Sequence, residues 1–164
     1  MALFKKKKSN NDVKINLLPP TEPLGFSVAG TKYYVLEIEN FGIINDDYNL
    51  PTDDFLSKYG YGGGGCYQYV FPNLNISFKS EPENPQDPNA IMVLIDDVKV
   101  GYVPAIFTDE FRRYASYPCN ITYRVTGGRK MYLEPVIDKV NDTVSFEHKI
   151  DITPYYIYIE ITPL

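Results

Sequence analysis

The sequence predicts a mainly β domain that is built from many short strands, with one or two short helices. The clearest signal is an unbroken apolar run at residues 90–95, followed by Asp96-Asp97 and a second strand-like run at 98–103. This order is typical of a β-hairpin whose first strand is buried. Helical signals are confined to two segments, a short capped helix at 52–59 and a helix after Pro104.

Alternating side chains predict the first strand at residues 32–38. In an extended strand, successive side chains point to opposite faces, so Tyr33 and Tyr34 would lie on different sides of the sheet. We expect Tyr34 to pack in the core and Tyr33 to be the more exposed of the two.

Further strands are predicted at residues 75–79 and at 155–161, where the chain ends in a closing strand. Two more runs, 120–125 and 131–137, are predicted to form a hairpin across Gly127-Gly128. Strands this short and numerous favour a small, OB-like barrel that is closed or partly closed.

The length of 164 residues and the amino-acid composition are typical of a single domain, and the formal net charge is −5. An acidic body disfavours broad, non-specific binding to duplex DNA, which depends on neutralising phosphates. Cys66 and Cys119 are expected to be reduced thiols. Because no apolar run reaches transmembrane length and no signal peptide is recognisable, we expect a cytoplasmic protein with no membrane partner.

The first residues are polar and basic and include four consecutive lysines at 5–8. Residues 1–24 are interpreted as a basic arm and an extended linker, and residues 25–164 as the folded domain. The arm has two interpretations: a solvated tail, or a segment that follows a phosphate backbone or an acidic membrane surface.

Residues for catalysis are scarce in this sequence. His148 is the only histidine, and Cys66 and Cys119 have no metal-binding partners at suitable spacing. The paired aspartates fall at predicted turns and helix starts, which disfavours a two-metal centre. We therefore expect a protein that is not an enzyme, with no metal and no cofactor.

The segment from 80 to 91 carries prolines at 82, 85 and 88, which exclude a helix or a central strand. The loop is stiff and leads directly into the buried strand, and Asp87 lies close to that junction. One interpretation is a turn whose Asn and Asp side chains cap their own backbone. The other is a rigid support for a binding site.

Three motifs in this sequence resemble the HIRAN domain. They are Glu-Pro-x-Asn-Pro-x-Asp-Pro-Asn-Ala-Ile at 81–91, Val-Gly-Tyr-Val-Pro at 100–104 and, more weakly, Val-Ala-Gly-Thr-Lys-Tyr-Tyr at 28–34. HIRAN domains are fused to Swi/Snf-type helicases and nucleases, and also occur alone in bacteria and phages. Relative to that family, the chain carries an insertion at about 40–72.

The resemblance implies a pocket for the 3′ end of single-stranded DNA, with helicase or nuclease proteins as partners. By that resemblance, Lys32 takes the basic position, Tyr33 and Tyr34 the aromatic positions, and Asp87 the acidic position. Tyr102, which follows the strand glycine, also belongs to the pocket, although histidine can occupy that place elsewhere in the family.

A second function is consistent with the same sequence: a protein-interaction or assembly module that kept the fold without DNA binding. The acidic body and the large insertion favour it. Within the insertion, the glycine-rich segment 60–65 is interpreted as a mobile loop, and its neighbouring tyrosines leave open a stacking surface for bases. The sequence does not determine the oligomeric state.

Overall fold

The computed structural model describes residues 18–164, and the lysines of the predicted basic arm lie outside them. The described residues form nine strands and three short α-helices, so the prediction of a mainly β domain is confirmed, although one or two helices were predicted. No helix in this part of the chain has the length and apolar character needed to cross a membrane. The strands are β1 Leu24–Ser27, β2 Ile43–Ile44, β3 Cys66–Tyr67, β4 Tyr69–Val70, β5 Ile76–Ser80, β6 Ile91–Ile95, β7 Val98–Tyr102, β8 Cys119–Asp138 and β9 Thr143–Pro163. The helices are α1 Val35–Glu39, α2 Thr52–Tyr59 and α3 Thr108–Tyr114.

Two antiparallel sheets form the body of the domain. One has the order β1-β9-β8-β3 and the other has the order β5-β6-β7, while β2 and β4 form a separate two-stranded sheet. The sheets meet where Ala29 and Tyr102 exchange two backbone hydrogen bonds, of 2.8 and 2.9 Å. The strands predicted at 75–79 and 155–161 lie largely within β5 and β9. Among the described residues, β5 and the first part of β8 each keep one unpaired edge, so the sheets do not close into a barrel.

The hairpin predicted from the apolar run at 90–95 is confirmed. Its strands are β6 and β7, and they are joined by Asp96 and Asp97. Both aspartates have positive φ, 45° and 66°, as a two-residue hairpin turn of the type I′ class requires. The turn and the buried run therefore specify the same local structure.

The main core joins the inner faces of both sheets. Phe26 and Ile159 contribute from the four-stranded sheet, and Val93 contributes from the three-stranded sheet; all three are at most 2% exposed. Phe111 of α3 extends this core, with its ring centroid 4.6 Å from that of Phe78. Burial of each such side chain stabilises the fold by about 1.5–3 kcal/mol.

A smaller core cluster attaches the insertion to the domain. The predicted helix at 52–59 is present as α2, and its Phe55 is fully buried against Cys66, Met131 and Leu133. Cys66 also pairs with Met131 across the β3–β8 ladder. The insertion is thus packed onto β8 by its own apolar side chains.

The predicted strand at 32–38 is wrong. The chain forms a 3-10 turn at Thr31–Tyr33 and then enters α1 at Val35–Glu39. Tyr34 and Ile38 are the two side chains of this stretch that pack against the main core. They are four residues apart, which is the spacing of a helix face and not of a strand.

The predicted hairpin across Gly127-Gly128 is also wrong. Both glycines lie within β8, which continues as one strand and pairs with β9 on both sides of them. They form a bulge where the register shifts between Thr126 and Gly128, and their φ angles are 111° and 82°. The turn between the two long strands lies at residues 139–142.

We expect Gly128→Ala to lower the free energy of unfolding by about 1–3 kcal/mol, because it strains a left-handed backbone. A Cβ at this position would also lie 2.3 Å from the hydroxyl oxygen of Tyr155. Urea denaturation measures the change. Gly63→Ala is the matched control, since no atom lies within 4 Å of the Cβ position there. Equal midpoints for the two variants would contradict this account of the bulge.

Candidate functional site

A β-bulge in β7 determines which side chains reach the candidate site. The β6–β7 register shifts so that Lys99 lies opposite Leu94 and Tyr102 lies opposite Met92. Leu94 and Met92 are two residues apart on β6 and share one face. Lys99 and Tyr102 therefore also share a face, although a regular strand would place residues three apart on opposite sides.

Gly101 allows the bulged strand to lie directly against the chain that follows β1. Its φ is 153°, and a Cβ there would lie 2.5 Å from both the carbonyl oxygen of Ala29 and a methyl carbon of Val28. A side chain would force the two strands apart. The glycine thus keeps Tyr102 beside the turn that begins at Gly30.

Tyr102 belongs to a hydrogen-bonded cluster that links β7 to the proline-rich loop. Its hydroxyl donates to Glu81 Oε2 at 2.8 Å and accepts from Lys99 Nζ at 2.9 Å. Lys99 Nζ also pairs with Glu81 Oε1 at 2.9 Å. Asn84 Nδ2 donates to Glu81 Oε2 at 2.8 Å and lies 3.4 Å from the Tyr102 hydroxyl. The cluster fixes the loop onto the strand.

These contacts set the charges of the cluster. Hydrogen bonds from Lys99, Asn84 and Tyr102, in that order of effect, lower the pKa of Glu81 to about 2. The pKa of Lys99 is raised, first by its bond to Tyr102 and then by its bond to Glu81. The bond from Lys99 lowers the pKa of Tyr102, but burial and the bond to Glu81 outweigh it, so the net direction is upward. The cluster therefore holds a carboxylate, an ammonium and a neutral phenol.

The turn after β1 presents an aromatic ring and a cation beside this cluster. Gly30 lies beside the rings of Tyr33 and Tyr102. If Gly30 carried a Cβ atom, that atom would lie 3.9 Å from the nearest carbon of each ring. Tyr33 is 74% exposed, and Lys32 Nζ lies 4.9 Å from its ring centroid. Tyr34 is partly buried against the core, with Lys99 Nζ 6.0 Å from its ring centroid. The exposures of the two tyrosines agree with the prediction, although the strand that suggested them is wrong.

Asp87 makes its contacts inside the proline-rich loop. Its Oδ1 accepts from the backbone N–H of Asn89 at 2.8 Å, and its own N–H donates to Asn84 Oδ1 at 3.2 Å. Asn84 in turn reaches the Tyr102 cluster. Among residues 18–164, no hydrogen bond or ion pair joins Asp87 to Lys32. The predicted turn-capping role of the loop is therefore present, and Asp87 is linked through Asn84 to one other predicted site residue, Tyr102.

Sequence reasoning missed three members of the cluster: Glu81, Asn84 and Lys99. Glu81 and Asn84 lie within the quoted motif, so the motif itself was the signal. Lys99 had no such signal, because alternation along a regular strand would turn it away from Tyr102. Gly101 was the one residue in the sequence that could have indicated a bulge.

The glycine-rich segment of the insertion is hydrogen-bonded to β8. The N–H of Gly62 donates to the carbonyl of Leu133 at 2.9 Å, and Lys130 Nζ donates to the carbonyl of Gly63 at 3.1 Å. These bonds hold part of the segment against β8. Among the described residues, no hydrogen bond or ring contact joins it to Tyr33 or Tyr102.

Comparisons of the chain with protein-family models, curated proteins and solved structures give no significant match. Within residues 18–164, no group of three or more His, Cys, Asp or Glu side chains is arranged to hold a metal ion. The candidate site is therefore described by its own geometry.

We expect Glu81→Gln to destabilise the fold in a pH-dependent way. The folded-state pKa of Glu81, about 2, lies below the ordinary value of 4.5, so its ionised form stabilises the fold above pH 4.5. That contribution is lost as the pH falls from 4.5 towards 2. The difference in unfolding free energy between wild type and variant should therefore be constant at neutral pH and shrink across this range.

Urea denaturation at a series of pH values measures this difference. Glu83→Gln is the matched control, because Glu83 is an exposed carboxylate of the same loop and forms no ion pair within the described chain. A difference that does not change with pH would contradict the role assigned to the Glu81 carboxylate.

Proposed function

We propose that this protein binds the 3′-hydroxyl end of single-stranded DNA and is not itself an enzyme. The observation that carries the proposal is the convergence of three separate segments on Tyr102. The turn at 30–34 brings Tyr33, β7 brings Tyr102 itself, and the proline-rich loop brings Asn84. These are the three motifs on which the resemblance to HIRAN domains depends. The proposed architecture is a partly closed, OB-like barrel.

The turn supplies the contacts to a base and to a phosphate. Tyr33 is exposed enough to stack against a base, which is worth about 1–3 kcal/mol per base. Lys32 lies beside that ring and forms no ion pair among the described residues. Its ammonium is therefore available to the phosphate next to the stacked base. Lys99 is less suited to this role because Glu81 already pairs with it.

The proline-rich loop supplies the selectivity for an end. A carboxylate repels the phosphodiester groups along a strand, but it accepts a charge-assisted hydrogen bond from an uncharged sugar hydroxyl. The Glu81 carboxylate is fully engaged by Lys99, Tyr102 and Asn84. Asp87 has one oxygen, Oδ1, bonded to Asn89, and Oδ2 has no partner within residues 18–164. Asp87 thus has an oxygen available for a terminal hydroxyl, and it is the residue that the resemblance to HIRAN domains places in the acidic position.

The net charge of the protein supports local binding rather than binding along a whole duplex. With a formal charge of −5, the chain lacks the positive field that non-specific DNA binding requires. One lysine and one aromatic ring are sufficient for a terminus. A helicase or nuclease protein in the cytoplasm is the proposed partner for the enzymatic steps, as the resemblance implies.

A second candidate is a protein-interaction or assembly module. The observation that favours it is the outer part of the β8–β9 ribbon, where Ile137, Val140 and Val144 are 65%, 92% and 60% exposed. Exposed apolar side chains on a paired ribbon are common at contacts between proteins. Absence of single-strand binding at low salt, together with a stable homo-oligomer in light scattering, would favour this function.

We expect a labelled oligonucleotide with a 3′-hydroxyl to bind about tenfold more tightly than the same strand with a 3′-phosphate, because a carboxylate repels the added charge. Fluorescence anisotropy measures both affinities. Asp87→Asn should reduce the difference between the two ends. Equal affinity of the wild type for both ends would reject end recognition.

Tyr33→Ala should weaken binding of the 3′-hydroxyl strand by about 5- to 100-fold through loss of base stacking. Tyr61→Ala is the matched control, because Tyr61 is 62% exposed and belongs to the insertion. The same anisotropy titration serves for both variants. Equal loss in the two variants would place the stacking surface elsewhere.

A further inference from the structure

A groove of about 410 Å³ lies between the two sheets, at the side of the molecule where they do not meet. Phe78 and Ser80 of β5 line one side of it, and Cys119 and Ile121 of β8 line another. Phe111 and Tyr114 of α3 are among the remaining lining residues. Its walls are thus mainly apolar, and strand edges form two of its sides.

The β5 edge beside this groove carries backbone groups that can pair with another strand. At one end of β5, the backbone carbonyl of Asn75 accepts a hydrogen bond from the N–H of Asp96. At the other end, the N–H of Glu81 donates to the backbone carbonyl of Ala90, so the odd-numbered residues of β5 bond to β6. Because these directions alternate along an antiparallel strand, the backbone groups of Phe78 and Ser80 point away from β6. No strand in the described chain pairs with them.

The β8 edge has the same property. The N–H of Leu164 donates to the carbonyl of Pro118, so even-numbered residues at the start of β8 face β9. The backbone groups of Cys119 and Ile121 therefore point away from β9. β3, the other neighbour of β8, pairs only farther along, at Met131 and Lys130.

We propose that this groove binds an extended segment of a partner protein, which adds as a strand to the edge of β5. An extended polypeptide is the ligand that offers N–H and C=O groups at the spacing of a strand edge, together with alternate side chains for an apolar groove. This function is separate from the proposed DNA-end binding, because none of the groove residues belongs to the candidate site around Tyr33 and Tyr102.

The charges at the groove define the partner further. Lys79 and Arg112 both line it, and no carboxylate of residues 18–164 does. Lys79 is exposed and forms no ion pair within residues 18–164, whereas Arg112 already contacts Asp109 at 3.5 Å. The partner segment therefore has apolar residues at alternate positions and an acidic residue placed to meet Lys79.

The test uses the full chain and a short probe peptide of alternating valine and threonine with an aspartate at each end. The thiol of Cys119 is the reporter, because it lines the groove and Cys66 is buried elsewhere. We expect the peptide to slow the labelling of Cys119 by a maleimide. Mass spectrometry of the modified residue measures the labelling rate. A peptide with N-methylated central amides should bind about tenfold more weakly, because it cannot donate to the strand edge.

Charge reversal supplies the matched variants. Lys79→Glu should weaken the aspartate-flanked peptide about fivefold and favour a lysine-flanked peptide by a similar factor. Lys139→Glu, at the exposed turn of the β8–β9 ribbon, should change neither affinity. Equal binding of the N-methylated peptide would overturn strand addition. Labelling of Cys119 at the same rate with and without saturating aspartate-flanked peptide would also overturn the proposal, because an occupant of the groove must cover this side chain.

Discussion

The backbone bridge between Ala29 and Tyr102 is the contact on which the arrangement of the domain depends. It is the point where the two larger sheets are joined by hydrogen bonds, and it requires Gly101 because a side chain would collide with Ala29. The turn that carries Lys32 and Tyr33 starts immediately after it. The same two hydrogen bonds therefore hold the sheets together and position the aromatic surface of the candidate site.

The candidate site has a distinctive division of charge. Glu81 and Lys99 neutralise each other inside the cluster, and their partners hold both side chains in place. Lys32 and Asp87 lie outside that ion pair, on the turn and on the loop. The inner pair thus gives the site a fixed shape, while the outer residues carry charges that no ion pair among the described residues neutralises.

Local signals in the sequence were sufficient for some elements and insufficient for others. The β6–β7 hairpin and α2 were predicted because turn residues and apolar spacing agreed over short distances. The strand at 32–38 was wrong because apolar residues in so short a run fit both periods, and packing of Tyr34 and Ile38 decided for the helix. At Gly127-Gly128, a bulge and a turn require the same residue type, and only the pairing of β8 with β9 distinguishes them.

Local sequence signals were also insufficient to predict the contacts within the candidate site. Tyr33 and Tyr102 were identified from a motif and lie close together, but the motif carries no information on side-chain partners. Lys99 joined the cluster through a shift of register, which depends on the approach of β7 to Ala29 and not on any neighbour in the sequence. Contacts that arise from tertiary packing are not encoded in a local pattern.

The pairing of β1 with β9 has a consequence for the order of assembly during synthesis. The β8–β9 ribbon is closed by a four-residue turn, so its ladder can grow outward from neighbours in sequence, whereas Leu24 must wait for Ile161 to leave the ribosome. Because the bridge at Ala29 directly follows β1, a nascent chain that lacks β9 has no fixed place for Tyr33. The candidate site would therefore be completed only after β9 has paired with β1.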